Sequence, residues 1–244
     1  EQLFRDIVVA RLVYPTSKLK TIDYLYRYQG KTLNVQEVYR FLDRLNEQHA
    51  VEAKQIAYRH TRKILKRITV VFYDMTSLYF EAEAEDDLRK IGFSKDGKFQ
   101  NPQIMLGLLV GEKGYPIGYD IFEGNTFEGK TLLPVLKRIH KRYRFGKPVV
   151  VADAAMLSKD NLDALDRAKF PFIVAARLRN ESEAMQKAIL SRCQDLSNGE
   201  SVLIEHEQNR RLIVSYSDQR AKKDRHNRER GLQRLRKRIG SGRM

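Results

Sequence analysis

The stretch Ile68-Thr-Val-Val-Phe-Tyr-Asp74-Met-Thr-Ser77 decides how the rest of the chain is read. Six residues, mostly β-branched or aromatic, lead to a single carboxylate. Val70, Val71 and Phe72 form an unbroken apolar block, the pattern of a central strand buried on both faces. An Asp at the end of such a strand is either a turn residue or an acid held rigidly for chemistry. A second stretch, Pro148-Val-Val-Val-Ala-Asp153, has the same form: an apolar strand that ends in a carboxylate.

The segments between and around these two set the order of elements. Gln103 to Gly111 and Ile117 to Glu123 read as strands, joined by a turn at Gly114-Tyr-Pro116 and closed by Gly124-Asn125. With the Asp74 strand they form a three-stranded meander. An acidic loop, Glu81 to Asp87, and a turn signal at Lys95-Asp96-Gly97 lie between the first two strands. Thr131 to Tyr143 is amphipathic, with Leu132, Leu133, Leu136, Ile139 and His140 along one side and Pro134 in its first turn. Ser158 caps a helix to Ala168, and Phe170 to Ala176 is a further strand. Three antiparallel strands, a helix, a parallel strand, a helix and a strand is the order of an α/β domain with an RNase-H-like mixed sheet flanked by helices.

In that order the first and fourth strands are parallel neighbours, so Asp74 and Asp153 stand at adjacent strand ends. Two such acids repel unless a cation lies between them, and a hard divalent ion with oxygen ligands meets that need. The residues therefore point to Asp74 and Asp153 as catalytic, metal-binding carboxylates for Mg²⁺ or Mn²⁺ in a two-metal phosphoryl-transfer site. The bland alternative is a pair of unrelated strand-end aspartates.

Residues 1–67 read as a small helical region. Ser17 or Thr16 caps a helix with apolar positions Leu19, Ile22, Leu25 and Tyr26, and Asn34-Val-Gln-Glu37 has the form of a capping box. A third helix is expected from Glu47 to Lys66, basic at its end. This region is read equally as DNA-binding or as a packing collar for the core. Residues 68–177 are the core, and 178–244 an insertion followed by a basic helix. The insertion is expected to hold a helix (Glu183 to Leu190) and a hairpin (Val202 to His206 with Leu212 to Tyr216).

The charge of +15 and the isoelectric point near 9.8 point to a polyanionic partner. Asn209 to Met244 carries thirteen Lys and Arg against three Asp and Glu, so +10 of the +15 lies in one terminal stretch. No run approaches eighteen apolar residues, which argues against a membrane span, and no secretory leader opens the chain. The single cysteine, Cys193, cannot form an internal disulfide, which suits a reducing compartment. The chain opens on Glu1 and stops in a basic stretch, so it reads as a segment of a longer protein.

The sequence resembles insertion-sequence transposases of the Asp-Asp-Glu superfamily with a strand-rich insertion. The stretches that carry the likeness are Tyr73-Asp-Met-Thr-Ser-Leu-Tyr-Phe80, Ile91-Gly-Phe-Ser-Lys-Asp96, Pro102-Gln-Ile-Met-Leu-Gly-Leu108, Phe122-Glu-Gly-Asn-Thr126, Gly129-Lys-Thr-Leu132 and Val150-Val-Ala-Asp-Ala-Ala-Met-Leu-Ser158, with Ala10-Arg-Leu-Val-Tyr-Pro-Thr-Ser-Lys18 near the start. The resemblance implies that Asp74 and Asp153 are the first two metal-binding acids of the triad. The third, in the family a Glu on a helix beyond the insertion, has no clear match. Glu229 lies in Asp224-Arg-His-Asn-Arg-Glu-Arg230, which reads as a basic helix instead, so the third acid is expected beyond Met244. The resemblance further implies cleavage of double-stranded DNA at transposon ends, strand transfer into target DNA, pairing as a homodimer, and a cytoplasmic, nucleoid-associated location. A non-catalytic DNA-binding truncated transposase and a cellular nuclease of the same fold are the rival readings.

Overall fold

The computed structural model describes residues 1–81, 84–94, 97–156 and 158–240. It divides into two compact units, Glu1–Val174 and Ala175–Met244. Lys95 and Asp96 of the expected turn, and Ala82 and Glu83 of the acidic loop, lie outside the described residues.

The first unit opens with helices α1 (Gln2–Val13), α2 (Lys18–Gln29), α3 (Val35–Arg44) and α4 (Ala50–Leu65). Ser17 caps α2 by accepting a hydrogen bond from the Lys20 amide, and Gly30 closes that helix in the left-handed conformation at φ +62°. At α3 the capping box is complete: the Asn34 side chain accepts from the Gln36 amide, and Glu37 accepts from the Asn34 amide. A π-helical turn over Leu45–His49 joins α3 directly to α4. The ion pair of Lys31 with Asp6, at 2.5 Å, ties the segment after α2 back to α1.

The core is a five-stranded mixed sheet of β1 (Val70–Tyr79), β2 (Gln103–Gly111), β3 (Pro116–Glu123), β4 (Val149–Ala152) and β5 (Phe172–Val174), in the order β3-β2-β1-β4-β5. β1 pairs antiparallel with β2 and parallel with β4, and β4 pairs parallel with β5. The expected meander and crossover are therefore both present. Helices α5 (Leu132–Tyr143) and α6 (Lys159–Arg167) supply the crossovers. Their buried Leu132, Val135, Leu136, Ile139 and Leu165 join Val71, Tyr73, Met75, Met105, Leu109 and Val150 of the sheet in one apolar core.

Two expectations for β1 require correction. Only alternate residues are buried: Val71, Tyr73 and Met75 face the core, while Phe72 is 44% exposed on the opposite face. The apolar block marks the centre of the sheet but not a strand covered on both sides. Nor does the strand stop at Asp74. It continues to Tyr79, because Met75-Thr-Ser-Leu-Tyr79 keeps pairing with β2 as far as Tyr79 opposite Gln103.

The second unit holds α7 (Glu183–Cys193), the hairpin of β6 (Ser201–His206) and β7 (Arg210–Ser215), and α8 (Asp218–Gly240). Ile189, Ile204 and Leu212 form its small core. His206 and Glu181 meet at 3.0 Å beside the hairpin. No described helix is long and apolar enough to cross a membrane.

Candidate active site

The parallel pairing of β1 with β4 runs from Val70 opposite Val149 to Tyr73 opposite Ala152. Asp74 and Asp153 are the next residue on each strand. Neighbouring strands run about 4.8 Å apart, so this register puts the two acids side by side where the parallel pairing ends. The acids differ in setting: Asp74 lies inside a continuing strand, whereas Asp153 begins a 3₁₀ turn over Ala154–Met156.

Backbone polarity explains how each carboxylate is held. The Val149 amide donates to the Thr69 carbonyl at 2.9 Å, so the odd-numbered residues of β1 direct their amides and carbonyls towards β4. β4 stops at Ala152, and Met75 is the next odd residue of β1. Its amide donates instead to Oδ1 of Asp74 at 2.8 Å. Oδ1 of Asp153 accepts the Ala155 amide at 2.8 Å, an Asx-type turn that starts the 3₁₀ segment. Each acid thus has one oxygen fixed by the backbone. Both side chains are exposed, and among the described residues neither is paired with a basic group.

Beneath Asp74, Tyr73 anchors the strand. Its hydroxyl donates to Oγ1 of Thr131 at 2.8 Å, and Thr131 donates to the Glu128 carbonyl at 2.6 Å. Burial, with a smaller contribution from the nearby Asp120 and Asp74 charges, pushes the Tyr73 phenol up to about 12. The loop over Glu128–Lys130 is fastened to the Asp153 side as well, because Nδ2 of Asn161 bridges the Gly129 and Met156 carbonyls at 2.6 and 2.9 Å. A Cβ on Gly107 would lie 2.4 Å from the Tyr73 hydroxyl, so this close approach requires glycine.

Sequence reasoning singled out Asp74 and Asp153 but not the supporting Tyr73, Thr131, Asn161 and Gly107. The family-like stretches carried a signal for three of them, Tyr73 in residues 73–80, Gly107 in 102–108 and Thr131 in 129–132, and none for Asn161. The Phe122–Thr126 motif serves packing: Gly124 lies so close to the backbone of Gln103 and Lys90 that a Cβ would stand 2.0 Å from the Gln103 carbonyl. His140 sits edge-on between Phe145 and Phe170 at 5.5 and 5.3 Å, a packing residue as its helical spacing implied. Glu229 lies within α8 of the second unit. Among the described residues no group of three or more His, Cys, Asp or Glu is placed to hold a metal, so Asp74 and Asp153 stand as a pair.

Two carboxylates with free oxygens form a hard donor set of the kind Mg²⁺ accepts, because that ion is commonly bound by one or two carboxylates and completes its shell with water and phosphate. The donor chemistry therefore fits a divalent ion.

Comparison with known proteins extends the picture. No curated protein matches the chain. Among solved structures, the piggyBac transposase synaptic complex with hairpin DNA is similar at 13% identity, over 88% of this chain and 48% of that one, with a TM-score of 0.48. The Mos1 transposase paired-end complex with the left transposon end is similar at 12% identity, over 80% and 71% of the two chains, with a TM-score of 0.32. This chain thus spans about half the length of the piggyBac protein. The family model described as the transposase DDE domain matches residues 65–241, which takes in the whole sheet, both proposed acids and nearly all of the second unit. By that match the chain belongs to the DDE-domain transposase family.

Proposed function

We propose that this chain is the catalytic region of a DNA transposase that cleaves a strand of double-stranded DNA at transposon ends and joins the freed 3′-hydroxyl to target DNA. The observation that supports this most is the placement of Asp74 and Asp153 at successive, laterally matched positions where β4 ends beside β1, within a family named for such acids.

In this reading the free oxygens of Asp74 and Asp153 hold Mg²⁺ or Mn²⁺. A bound ion pair would activate the attacking water or hydroxyl and stabilise the leaving oxygen of the phosphodiester. The chain's own contribution is positional. The amides of Met75 and Ala155 fix one oxygen of each acid, which reduces the rotamer freedom lost when a ligand binds. Tyr73 and Thr131 tie β1 to the loop that Asn161 fastens beside Asp153, so the two acids share one rigid support. Residues 178–244 serve as a DNA-contacting segment after the core at 68–177. Residues 1–67 either contact DNA or form a packing collar for the core, to which Thr61 bonds at the Pro116 carbonyl and Tyr58 stacks on Tyr143. Two copies pair to hold two ends, and the protein works at the cytoplasmic nucleoid.

A cleavage assay on labelled duplex transposon ends tests the site. Strand cleavage is expected with Mg²⁺ or Mn²⁺, none with a chelator, and only background product from Asp74→Asn or Asp153→Asn. Unchanged cleavage by both variants overturns the assignment. DNA binding without cleavage under either metal favours a non-catalytic DNA-binding role.

A further inference from the structure

The second unit contains a charged cleft that the pair of acids does not account for. Arg179, in a short turn over Leu178–Asn180, faces Arg220, Asp224, Asn227 and Arg228 of α8 across a cleft of about 560 Å³. The four α8 residues fall at i, i+4, i+7 and i+8, one face of the helix. Three guanidinium groups against one carboxylate leave the cleft with a net charge of +2. Asp224 holds Arg220 by an Nε–Oδ2 contact of 3.2 Å, and Arg220 remains largely exposed.

Resting on the DNA-directed reading above, we infer that this cleft grips the sugar–phosphate backbone of duplex DNA. Arginine is suited to this because its planar fork can engage two phosphate oxygens at once and is always charged. Arg220 and Arg228 are eight residues apart, which separates their Cα atoms by about 12 Å along α8. Guanidinium groups spread over that length suit a run of phosphates along a strand better than one isolated anion. The Asn227 amide adds a neutral donor between them, and Asp224 orients Arg220 in the absence of DNA. The rest of α8 is exposed and basic, so neighbouring phosphates would continue to meet positive charge beyond the cleft.

In the full chain, Arg179→Gln, Arg220→Gln and Arg228→Gln together remove three charges from the cleft. Lys222→Gln, Arg225→Gln and Arg236→Gln remove three from the opposite face of α8. Fluorescence anisotropy with a labelled duplex of arbitrary sequence, read across a salt series, compares the two. The cleft triple should weaken binding at least about tenfold near 0.1 M salt and flatten the log–log salt slope by about 2–3, close to one per lost phosphate contact. The opposite-face triple should change affinity less than about threefold, against the same counterion-release background. Asp224→Asn should tighten binding. If the cleft triple fails to fold, Arg228→Gln alone should flatten the slope by about 1.

Equal losses from the two triples overturn the cleft while leaving the transposase reading intact. Absence of duplex binding by the unaltered chain overturns both. Displacement of the duplex by phosphatidylserine vesicles at lower charge equivalents than by unlabelled duplex also overturns the inference, in favour of a lipid surface.

Discussion

The two faces of β1 carry different tasks. On one, Val71, Tyr73 and Met75 are at most 5% exposed and pack into the main apolar core that α5 and α6 help to form. On the other, Phe72 and Leu78 are 44% and 45% exposed and flank Asp74 and Thr76. The same face continues across the sheet through Leu108, Tyr119, Ile121 and Ile173, all of them exposed. A strand has a period of two, so neighbouring residues can separate support from chemistry with no change of backbone. The lesson is that Asp74 owes its position to Tyr73, its neighbour on the hidden side.

That division can be broken in graded steps. The largest effect is expected from Leu136→Ala on the helix side, which empties a fully buried site and should cost about 2–5 kcal/mol in denaturant unfolding. Phe72→Ala, on the exposed face, should cost well under half of that, and equal losses would show that the second face is covered in solution. Gly107→Ala drives a methyl group into the Tyr73 hydroxyl and should cost about 1–3 kcal/mol. It should also lower cleavage more than Leu136→Ala does at matched folded fraction, because it acts directly beneath Asp74.

Tyr73→Phe sharpens the comparison through pH. The folded phenol titrates near 12 and the unfolded one near 10, so the native state binds more protons between those values. Stability from this group is fully present below pH 10 and declines as pH rises through 12, by at most about 1.4 kcal/mol per unit. The Phe variant should lack that pH dependence, so the parent's lead should shrink above pH 10 and reverse before pH 12. Near neutral pH it should cost only about 1 kcal/mol, for the lost bond to Thr131. Parallel curves from pH 9 to 12 would place Tyr73 in contact with water.

Much of this arrangement was readable from residue order. The capping box at Asn34 and Glu37, the limits of β2 at Gln103 and Gly111, and the meander followed by a crossover all follow from local chemistry and short-range periodicity. The lateral match of Asp74 and Asp153 was legible because each follows an apolar run. The exposure of Phe72 was not, since an apolar residue in a strand looks the same whether a helix covers it or not. Nor was the continuation of β1, because a polar Asp inside a run resembles its end until the partner strand is known. The Tyr73–Thr131 bond joins residues 58 apart, and no local pattern encodes a contact of that range.

The early end of β4 has one more consequence, in the timing of amide exchange. From Val70 to Tyr73 the backbone of β1 is engaged on both sides, but beyond Tyr73 only β2 remains paired with it. The even-numbered amides of Asp74, Thr76 and Leu78 face β2 and should exchange slowly with solvent deuterium. Ser77 and Tyr79 face the side that β4 has vacated and should exchange fast. Met75 should fall between them, shielded by the Asp74 carboxylate, and it should join the fast group when that residue becomes Ala, which has no acceptor for the amide. A one-residue alternation in exchange rate would then mark the lip of the site along the strand itself.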